Sequence, residues 1–177
     1  MKHIPNLLSF TRILLLPFFI IKVKEGDLQA AGIIILISGI TDLLDGFLAR
    51  TFNWITRLGE LLDPLADKLT QTCIAVTFIF YIQEFKAYFS IILLKDLLML
   101  LGGYVSFRKK IEIPAAKWFG KVATALFYVT MVLIMLIPNM DIMIKKGLLS
   151  LVVITAIFSA AMYATTFFPS WKVQNKN

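Results

Sequence analysis

Long apolar stretches follow one another along most of this chain, and short groups of charged and turn-forming residues separate them. A helix of about 20 apolar residues is long enough to cross the hydrocarbon core of a bilayer. The pattern predicts six such helices, at about residues 6–23, 28–52, 61–83, 87–107, 119–137 and 146–168. These segments account for most of the chain, so we expect a single membrane domain over residues 1–177.

The composition supports the same architecture. Of the 177 residues, 59% are hydrophobic and 16% are charged, and the mean hydropathy is +0.82, which is far from the balance of a soluble domain. We therefore predict an all-α integral membrane protein, built as a bundle of six transmembrane helices. A net charge of +7 is expected of loops that face anionic membrane lipids, and we do not expect nucleic-acid binding.

Lysine and arginine are concentrated in two of the predicted connections. The connection between the second and third helices carries Arg50 and Arg57, and the next basic connection carries Arg108, Lys109, Lys110, Lys117 and Lys121. Basic loops favour the cytoplasmic side of a membrane, so both loops and both termini are expected there. The N-terminal apolar stretch lacks a small-residue cleavage site and is predicted to remain as the first helix of a multi-pass protein of the cytoplasmic membrane.

Four aspartates stand in these apolar segments, close to one predicted loop. Asp42 and Asp45 are three residues apart on the second helix, and Asp63 and Asp67 are four apart on the third. Such spacings place each pair on one helix face, and a short loop is expected to make the two helices antiparallel neighbours, so that four carboxylates converge. A charge inside a membrane costs roughly 2.5 to 3.5 kcal/mol on insertion scales, which makes the group a candidate functional site.

Four converging carboxylates repel one another, and a bound cation removes the conflict. Oxygen donors suit Mg²⁺ or Mn²⁺, and no His or Cys stands nearby to favour zinc. We expect one or two such ions at these acids. Asp63, which precedes Pro64, also fits an N-cap with proline at the first helical position, but capping does not explain the other three acids.

Small residues and an arginine accompany the acids. Gly46 lies one turn after Asp42, and Ala49 lies one turn after Asp45. Small side chains let a phosphate-bearing ligand approach the helix closely, and the guanidinium of Arg50 matches phosphate, so this face suits a nucleotide diphosphate. Taken singly, these residues have ordinary alternatives, which are helix packing for Gly46 and Ala49 and a cytoplasmic anchor for Arg50.

These residues together form a recognisable sequence motif. The pattern D-x2-D-G-x2-A-R-x8-G-x3-D-x3-D resembles the signature of the CDP-alcohol phosphatidyltransferases, and its eight fixed positions are filled by Asp42, Asp45, Gly46, Ala49, Arg50, Gly59, Asp63 and Asp67. The resemblance implies a six-helix membrane fold, usually homodimeric, with a cytoplasm-facing site for a CDP-linked donor. An alcohol attacks the phosphorus that stays with the lipid, and CMP leaves.

The resemblance also implies roles for single residues. Asp67 is similar to the residue proposed as the general base, near the metal as well, and the ligands of the metal look like Asp42, Asp45 and Asp63. The positions that match the lining of the nucleotide and diphosphate are Gly46, Ala49 and Arg50.

Two further segments resemble the phosphatidylglycerophosphate synthase and cardiolipin synthase branches of that family. Residues 4–12 are similar to their N-terminal segment, which makes Asn6 a candidate for the nucleotide side and Arg12 a candidate for the acceptor side. Residues 120–124 resemble a Gly-Lys-x-x-Thr element, and Lys121 with Arg108 is the preferred pair for an acceptor phosphate. The alternatives are a helix-start asparagine, a snorkelling arginine and head-group contacts.

The expected reaction is transfer of a phosphatidyl group from CDP-diacylglycerol to glycerol 3-phosphate, with phosphatidylglycerol as the alternative acceptor. Lys95-Asp96 stands where glycerophosphate-type enzymes commonly have Arg-Glu and cardiolipin-type enzymes Arg-Asp, and Ala123 replaces a commonly polar residue, so the branch stays open. A cation channel or transporter is an alternative from another class, but it would distribute acids through the membrane depth. A non-catalytic scaffold would not need all four acids together.

Overall fold

The computed structural model describes residues 4–52, 57–108 and 118–174, and it describes side chains for residues 7–44, 51–52, 65–102, 118–163 and 165. Apart from one 3-10 turn at Gln83–Phe85, the regular structure in these ranges consists of six α-helices: α1 (Ile4–Lys24), α2 (Leu28–Thr51), α3 (Arg57–Tyr81), α4 (Lys86–Arg108), α5 (Trp118–Leu136) and α6 (Ile142–Gln174). The presence of six helices is therefore confirmed, with most ends within two residues of the expected positions, whereas six membrane spans stay a prediction.

Two helix starts differ from the expected positions. α3 begins at Arg57, so Asp63 lies inside the helix, and the interpretation of Asp63 as an N-cap is wrong. α6 begins at Ile142 because a carboxylate oxygen of Asp141 accepts the backbone N–H of Met143 at 2.6 Å. With 33 residues, α6 is roughly 50 Å long, which exceeds the hydrocarbon core of about 30 Å.

The turn between α1 and α2 has a clear local cause. Gly26 adopts a left-handed conformation with φ of 80°, which glycine tolerates without steric cost. The next residue, Asp27, accepts the backbone N–H of Ala30 through its Oδ1 atom at 3.0 Å and so caps α2. The two residues together reverse the chain, and α1 packs along α2.

The six helices are arranged as a closed ring. α1 packs on α2 and α3, α2 on α5, α5 on α6, α6 on α4, and α4 on α3. The expected direct packing of α2 against α3 is not observed in the parts of the chain that the structure describes, because α1 packs extensively on both of them and they share no extensive contact. A residue on α1 can therefore reach acids on both signature helices.

The buried core draws side chains from every helix. Phe19 of α1, Ile35 of α2, Phe78 of α3, Phe127 of α5 and Leu149 of α6 are all at most 1% exposed. The ring of Phe78 lies 4.8 Å from that of Phe89 on α4, measured between centroids. Close packing of these apolar side chains holds the ring of helices together.

The outer surface is rich in large apolar side chains, among them Leu43, Phe80 and Ile154. Two segments of the described chain are long and apolar enough to span a membrane by length and composition, Trp118–Leu136 and Ile142–Tyr163. Exposed apolar surface of this extent is unfavourable in water and is typical of a lipid-facing protein. The all-helical, apolar architecture therefore fits a membrane protein.

Candidate active site

A cavity of about 860 Å³ lies within the ring, and all six helices contribute to its lining. Four of the residues selected from the sequence line this cavity: Arg12, Asp42, Asp67 and Lys121. Its lining also includes Lys68, Lys95 and Tyr128, together with many apolar side chains. The cavity thus joins a charged section to an apolar section.

Asp42 on α2 forms an ion pair with Arg12 on α1. The Nη2 atom of Arg12 lies 2.5 Å from Oδ1 of Asp42, and the side chain of Arg12 is only 2% exposed, whereas that of Asp42 is 45% exposed. A buried guanidinium is costly without a close anion, so the carboxylate stabilises Arg12 in its position. Because Asp42 is the more exposed of the two, it presents its carboxylate to the cavity.

Asp67 on α3 is held by a hydrogen bond from α5. The hydroxyl of Tyr128 donates to Oδ1 of Asp67 at 2.9 Å, and it also lies 3.3 Å from the backbone carbonyl oxygen of the same residue. Among the described residues, α3 and α5 make no extensive helix contact, so this hydrogen bond links two helices across the cavity. Tyr128 therefore restricts the orientation of the Asp67 carboxylate.

We call Asp42, Asp67, Arg12 and Tyr128 the acidic cluster. Its two carboxylates line the same cavity and are close enough to interact electrostatically. Oxygen donors of this kind suit Mg²⁺ or Mn²⁺, so the residues fit the expected metal. In the part of the chain with described side chains, no group of three or more His, Cys, Asp or Glu residues is close enough to hold an ion.

Several residues selected from the sequence cannot be assigned contacts. The backbones of Asp45, Gly46, Ala49 and Arg50 lie in α2, and that of Asp63 lies in α3, but their side chains fall outside the described ones, as do those of Asn6 and Arg108. Their predicted roles stay predictions.

A second charged group faces the same cavity. Oδ1 of Asp96 on α4 forms an ion pair with Nζ of Lys95 at 2.6 Å and accepts a hydrogen bond from Nζ of Lys68 on α3 at 3.1 Å. Lys68 also donates to the side-chain oxygen of Gln71 at 3.3 Å. Both lysines line the cavity, whereas the Asp96 side chain is only 7% exposed. We call Lys68, Lys95 and Asp96 the lysine cluster.

The sequence arguments missed parts of both clusters. Tyr128 carries no recognisable signal, because an aromatic residue in an apolar helix is usually a packing residue. Lys95 and Asp96 do carry one, since charges within an apolar helix are costly, but they served above only to compare branches. Lys68, which directly follows Asp67, is recognisable only once α3 and α4 are seen to pack together.

Lys121 reaches the cavity at the beginning of α5, beside a close helix crossing. A Cβ atom added to Gly120 would lie 2.8 Å from the hydroxyl oxygen of Tyr163 on α6. Glycine therefore permits this approach of α6 to α5. The ring of Tyr163 also contacts Phe119 edge-on, with 4.9 Å between centroids, so the start of α5 is packed firmly where Lys121 projects.

The apolar section of the cavity lies between α2 and α5. It is lined by Leu36, Ile40 and Leu43 from α2 and by Val129 and Leu133 from α5. Some of these side chains also face the exterior, with Leu43 73% exposed. This section suits hydrocarbon chains that continue into surrounding lipid.

Comparison with known proteins agrees with the family resemblance that the aspartate motif indicates. The profile of the CDP-alcohol phosphatidyltransferase family matches residues 2–168. The CDP-diacylglycerol--glycerol-3-phosphate 3-phosphatidyltransferase of Aquifex aeolicus (strain VF5) is 33% identical over 124 residues, which cover 69% of this chain and 69% of the relative. The protein of the same name from Escherichia coli (strain K12) is 30% identical over 146 residues, 77% of this chain and 79% of the relative. This chain therefore belongs to the CDP-alcohol phosphatidyltransferase family.

Proposed function

We propose that this protein transfers the phosphatidyl group of CDP-diacylglycerol to a hydroxyl of glycerol 3-phosphate, with phosphatidylglycerophosphate and CMP as products. One observation carries the proposal: Asp42 and Asp67 line the same cavity, which is also lined by lysines. These two residues are the first and last acids of the family motif. The names of relatives matched over more than two thirds of their length support the choice of acceptor.

The signature acids bind divalent metal, on which enzymes of this family generally depend. Asp42, Asp45 and Asp63 are the proposed ligands of Mg²⁺ or Mn²⁺, with Asp67 beside them and either one or two ions. When bound, the metal would supply charge neutralisation at the diphosphate and at the departing phosphate of CMP. Arg12 offsets part of the charge of Asp42. This ion pair explains the burial of Arg12 at least as well as a role of Arg12 in binding the acceptor does.

Asp67 takes the proton of the acceptor hydroxyl. The hydroxyl oxygen forms a bond to the phosphorus that carries diacylglycerol, the bond from that phosphorus to the oxygen of CMP breaks, and the hydroxyl proton passes to the carboxylate. Tyr128 occupies Oδ1 of Asp67, which leaves the second carboxylate oxygen to act as the base. The hydrogen bond from Tyr128 thereby orients the carboxylate without neutralising it.

The donor is held on the α2 side of the cavity. Gly46, Ala49, Arg50 and Asn6 are the proposed contacts of the cytidine nucleotide and its diphosphate, and the acyl chains occupy the apolar section between α2 and α5. Lys121 and Arg108 are the proposed contacts of the acceptor. This division keeps the hydrocarbon in lipid while the phosphates stay in the charged section.

We place the protein in the cytoplasmic membrane as a homodimer with six spans, and we place the site and both termini on the cytoplasmic side. The basic connections support this orientation. A membrane-impermeant thiol reagent applied to intact cells tests this orientation in a background from which Cys73 has been replaced. The introduced thiol of Asp141→Cys should react directly. That of Phe52→Cys should react only after the membrane is permeabilised.

One assay tests the function. The purified protein is incubated with CDP-diacylglycerol, Mg²⁺ and separately glycerol 3-phosphate, phosphatidylglycerol or glycerol, and the lipid product is identified by mass. We expect phosphatidylglycerophosphate and an equal amount of CMP with glycerol 3-phosphate. Cardiolipin formation from phosphatidylglycerol would contradict the proposed acceptor. Cation flux in liposomes without CMP release from any acceptor would contradict an enzymatic function.

A further inference from the structure

We propose that Gln71 on α3 is a specificity-determining residue, whose side-chain NH2 group donates a hydrogen bond to the hydroxyl on the second carbon of glycerol 3-phosphate, here called the middle hydroxyl. This inference rests on the proposed function, because it concerns the acceptor of that reaction. It assigns to an uncharged side chain the recognition of the one acceptor group that neither reacts nor carries charge.

Gln71 is a nearly buried polar residue at the cavity. It is 5% exposed and it lines the cavity, so the surface that it keeps faces the cavity. A buried amide costs free energy unless its oxygen and its NH2 group both have hydrogen-bond partners. The contacts of these two groups therefore decide what the residue can do.

The oxygen of this amide has a partner. Nζ of Lys68 donates to Oε1 of Gln71 at 3.3 Å, and an ammonium group can only donate, so this contact fixes which end of the amide is the oxygen. Lys68 also donates to the buried carboxylate of Asp96 at 3.1 Å. The amide is thus restrained before a ligand arrives, which lowers the entropy lost on binding.

The NH2 group of the amide stays available to a ligand. Among the residues with described side chains, the contact with Lys68 is the one hydrogen bond that the Gln71 side chain makes. Two N–H donors therefore remain at the cavity lining, and leaving them unpaired is unfavourable. Because the amide is uncharged, its donors suit a neutral oxygen such as that of a hydroxyl group, whereas ionised ligand groups are drawn to the charged side chains nearby.

The position of Gln71 relative to Asp67 identifies that hydroxyl. The two residues are four apart on α3, so they share a helix face, with roughly 5 to 6 Å between their Cβ atoms, and both line the cavity. The reacting hydroxyl of the acceptor lies at Asp67, the proposed base, and the middle hydroxyl is on the next carbon. An amide one turn further along the helix can therefore reach the middle hydroxyl.

The arrangement of the helices favours the acceptor over the ester carbonyls of the donor. The acyl chains are assigned to the apolar section between α2 and α5. In the ring, α3 has α1 and α4 as its neighbours and lies across from α5. Gln71 is thus on the side of the cavity opposite to that section, and the acceptor is the substrate that meets it.

Two acceptors that differ in one hydroxyl test the proposal. 3-Hydroxypropyl phosphate keeps the reacting hydroxyl and the phosphate of glycerol 3-phosphate but lacks the middle hydroxyl. Wild-type protein should use glycerol 3-phosphate with a kcat/KM about tenfold higher, because the analogue leaves the amide donors unpaired. In Gln71→Met, kcat/KM for glycerol 3-phosphate should fall about tenfold, and that for the analogue should change less than about twofold, a difference smaller than one hydrogen bond contributes.

Two further variants separate the hydrogen bond from packing. Gln71→Glu keeps the shape of the side chain and an oxygen towards Lys68, but its carboxylate cannot donate, so it should also lose the preference for glycerol 3-phosphate. Gln83→Met is the matched control, because Gln83 is exposed in the 3-10 turn after α3 and does not line the cavity. It should keep the wild-type ratio of the two kcat/KM values.

Three outcomes would overturn the proposal. An equal fall of kcat/KM for both acceptors in Gln71→Met would assign the residue to packing. An unchanged ratio in Gln71→Met would remove it from recognition of the middle hydroxyl. A raised KM for CDP-diacylglycerol with an unchanged acceptor ratio would assign the amide to an ester carbonyl of the donor.

Binding measured without turnover separates this proposal from the proposed function. Wild-type protein and Gln71→Met are each titrated with glycerol 3-phosphate and with 3-hydroxypropyl phosphate in the presence of Mg²⁺. We expect about tenfold tighter binding of glycerol 3-phosphate to wild-type protein and nearly equal affinities in the variant. Equal affinities in wild-type protein would overturn the proposal and leave the proposed function intact. If wild-type protein makes no phosphatidylglycerophosphate, the proposed function fails, and the same titrations still decide whether Gln71 recognises the middle hydroxyl.

Discussion

The acidic cluster and the lysine cluster are built on the same plan with opposite charges. In the first, a buried cation, Arg12 at 2% exposure, contacts a half-exposed anion, Asp42 at 45%. In the second, a buried anion, Asp96 at 7%, contacts a half-exposed cation, Lys68 at 47%. In both clusters the buried charge positions its partner, and the more exposed partner is available to a ligand. The difference in sign means that the acidic cluster presents two carboxylates to the cavity, whereas the lysine cluster presents two ammonium groups.

The strongest test of this division is Asp67→Asn. The amide cannot accept a proton, so transfer should fall by about 10²- to 10⁴-fold, the range for loss of a general base, while CDP-diacylglycerol binding remains measurable. Radiolabelled CMP release and donor binding are measured on the same preparation. Asp141→Asn is the control, because Asp141 caps α6 outside the cavity lining and asparagine is also a good N-cap. Near-normal turnover of Asp67→Asn would remove the base assignment.

Asp42→Asn tests whether the acidic cluster holds metal. The Mg²⁺ concentration for half-maximal activity should rise by about two orders of magnitude, since even residues that only support a ligand contribute about 10- to 100-fold. The midpoint of thermal unfolding should also fall, because Arg12 loses its carboxylate partner. The same change at Asp27, an exposed cap at the other end of α2, should leave both quantities unchanged. An unaltered Mg²⁺ requirement would assign Asp42 to charge compensation of Arg12 alone.

Tyr128→Phe tests orientation within the acidic cluster. Loss of a hydrogen bond to a carboxylate contributes about 1.5 to 3 kcal/mol, so kcat should fall about 10- to 100-fold while the KM of both substrates stays constant. Tyr88→Phe is the matched control, because Tyr88 packs against the core without lining the cavity. A rise in KM with constant kcat would indicate that Tyr128 contacts a substrate and does not orient Asp67.

Lys121→Ala should have the smallest effect. Lys121 lies on the cavity lining near the start of α5, and a solvated charge contributes up to about 1 kcal/mol, so we expect the acceptor KM to rise about threefold with kcat unchanged. Lys24→Ala, at the exposed end of α1, serves as the comparison. A fall in kcat with an unchanged acceptor KM would contradict the placement of Lys121 at the acceptor.

The sequence predicted the helices well because their signal is local. Apolar length and breakers such as Pro138 are visible in any short window, and most helix ends lie close to the predicted positions. The order of the helices in the ring depends on contacts between residues that are far apart in the sequence. A short sequence window does not contain both partners of such a contact. The expectation that α2 and α3 pack side by side was therefore wrong for the described residues, where α1 packs on both helices.

The same reasoning explains which site residues were found. Asp42 and Asp67 stand out because charges in apolar segments are costly and because their spacing matches a known motif. Tyr128 and Lys68 act through partners on other helices, and only tertiary structure reveals those partners. Arg12 was selected by resemblance, but its contact with Asp42 became visible only from the packing of α1 on α2.

The pairing of Arg12 with Asp42 also bears on how the chain enters the membrane. Ribosomes make α1 before α2, so the guanidinium is already present when the first acid of the motif leaves the ribosome. When α1 and α2 insert as a hairpin, Arg12 neutralises the charge of Asp42. The free-energy cost of insertion is then lower than for an unpaired carboxylate. Arg12 therefore also assists membrane insertion of the chain. Its replacement should lower the amount of protein in the membrane, in addition to any effect on turnover.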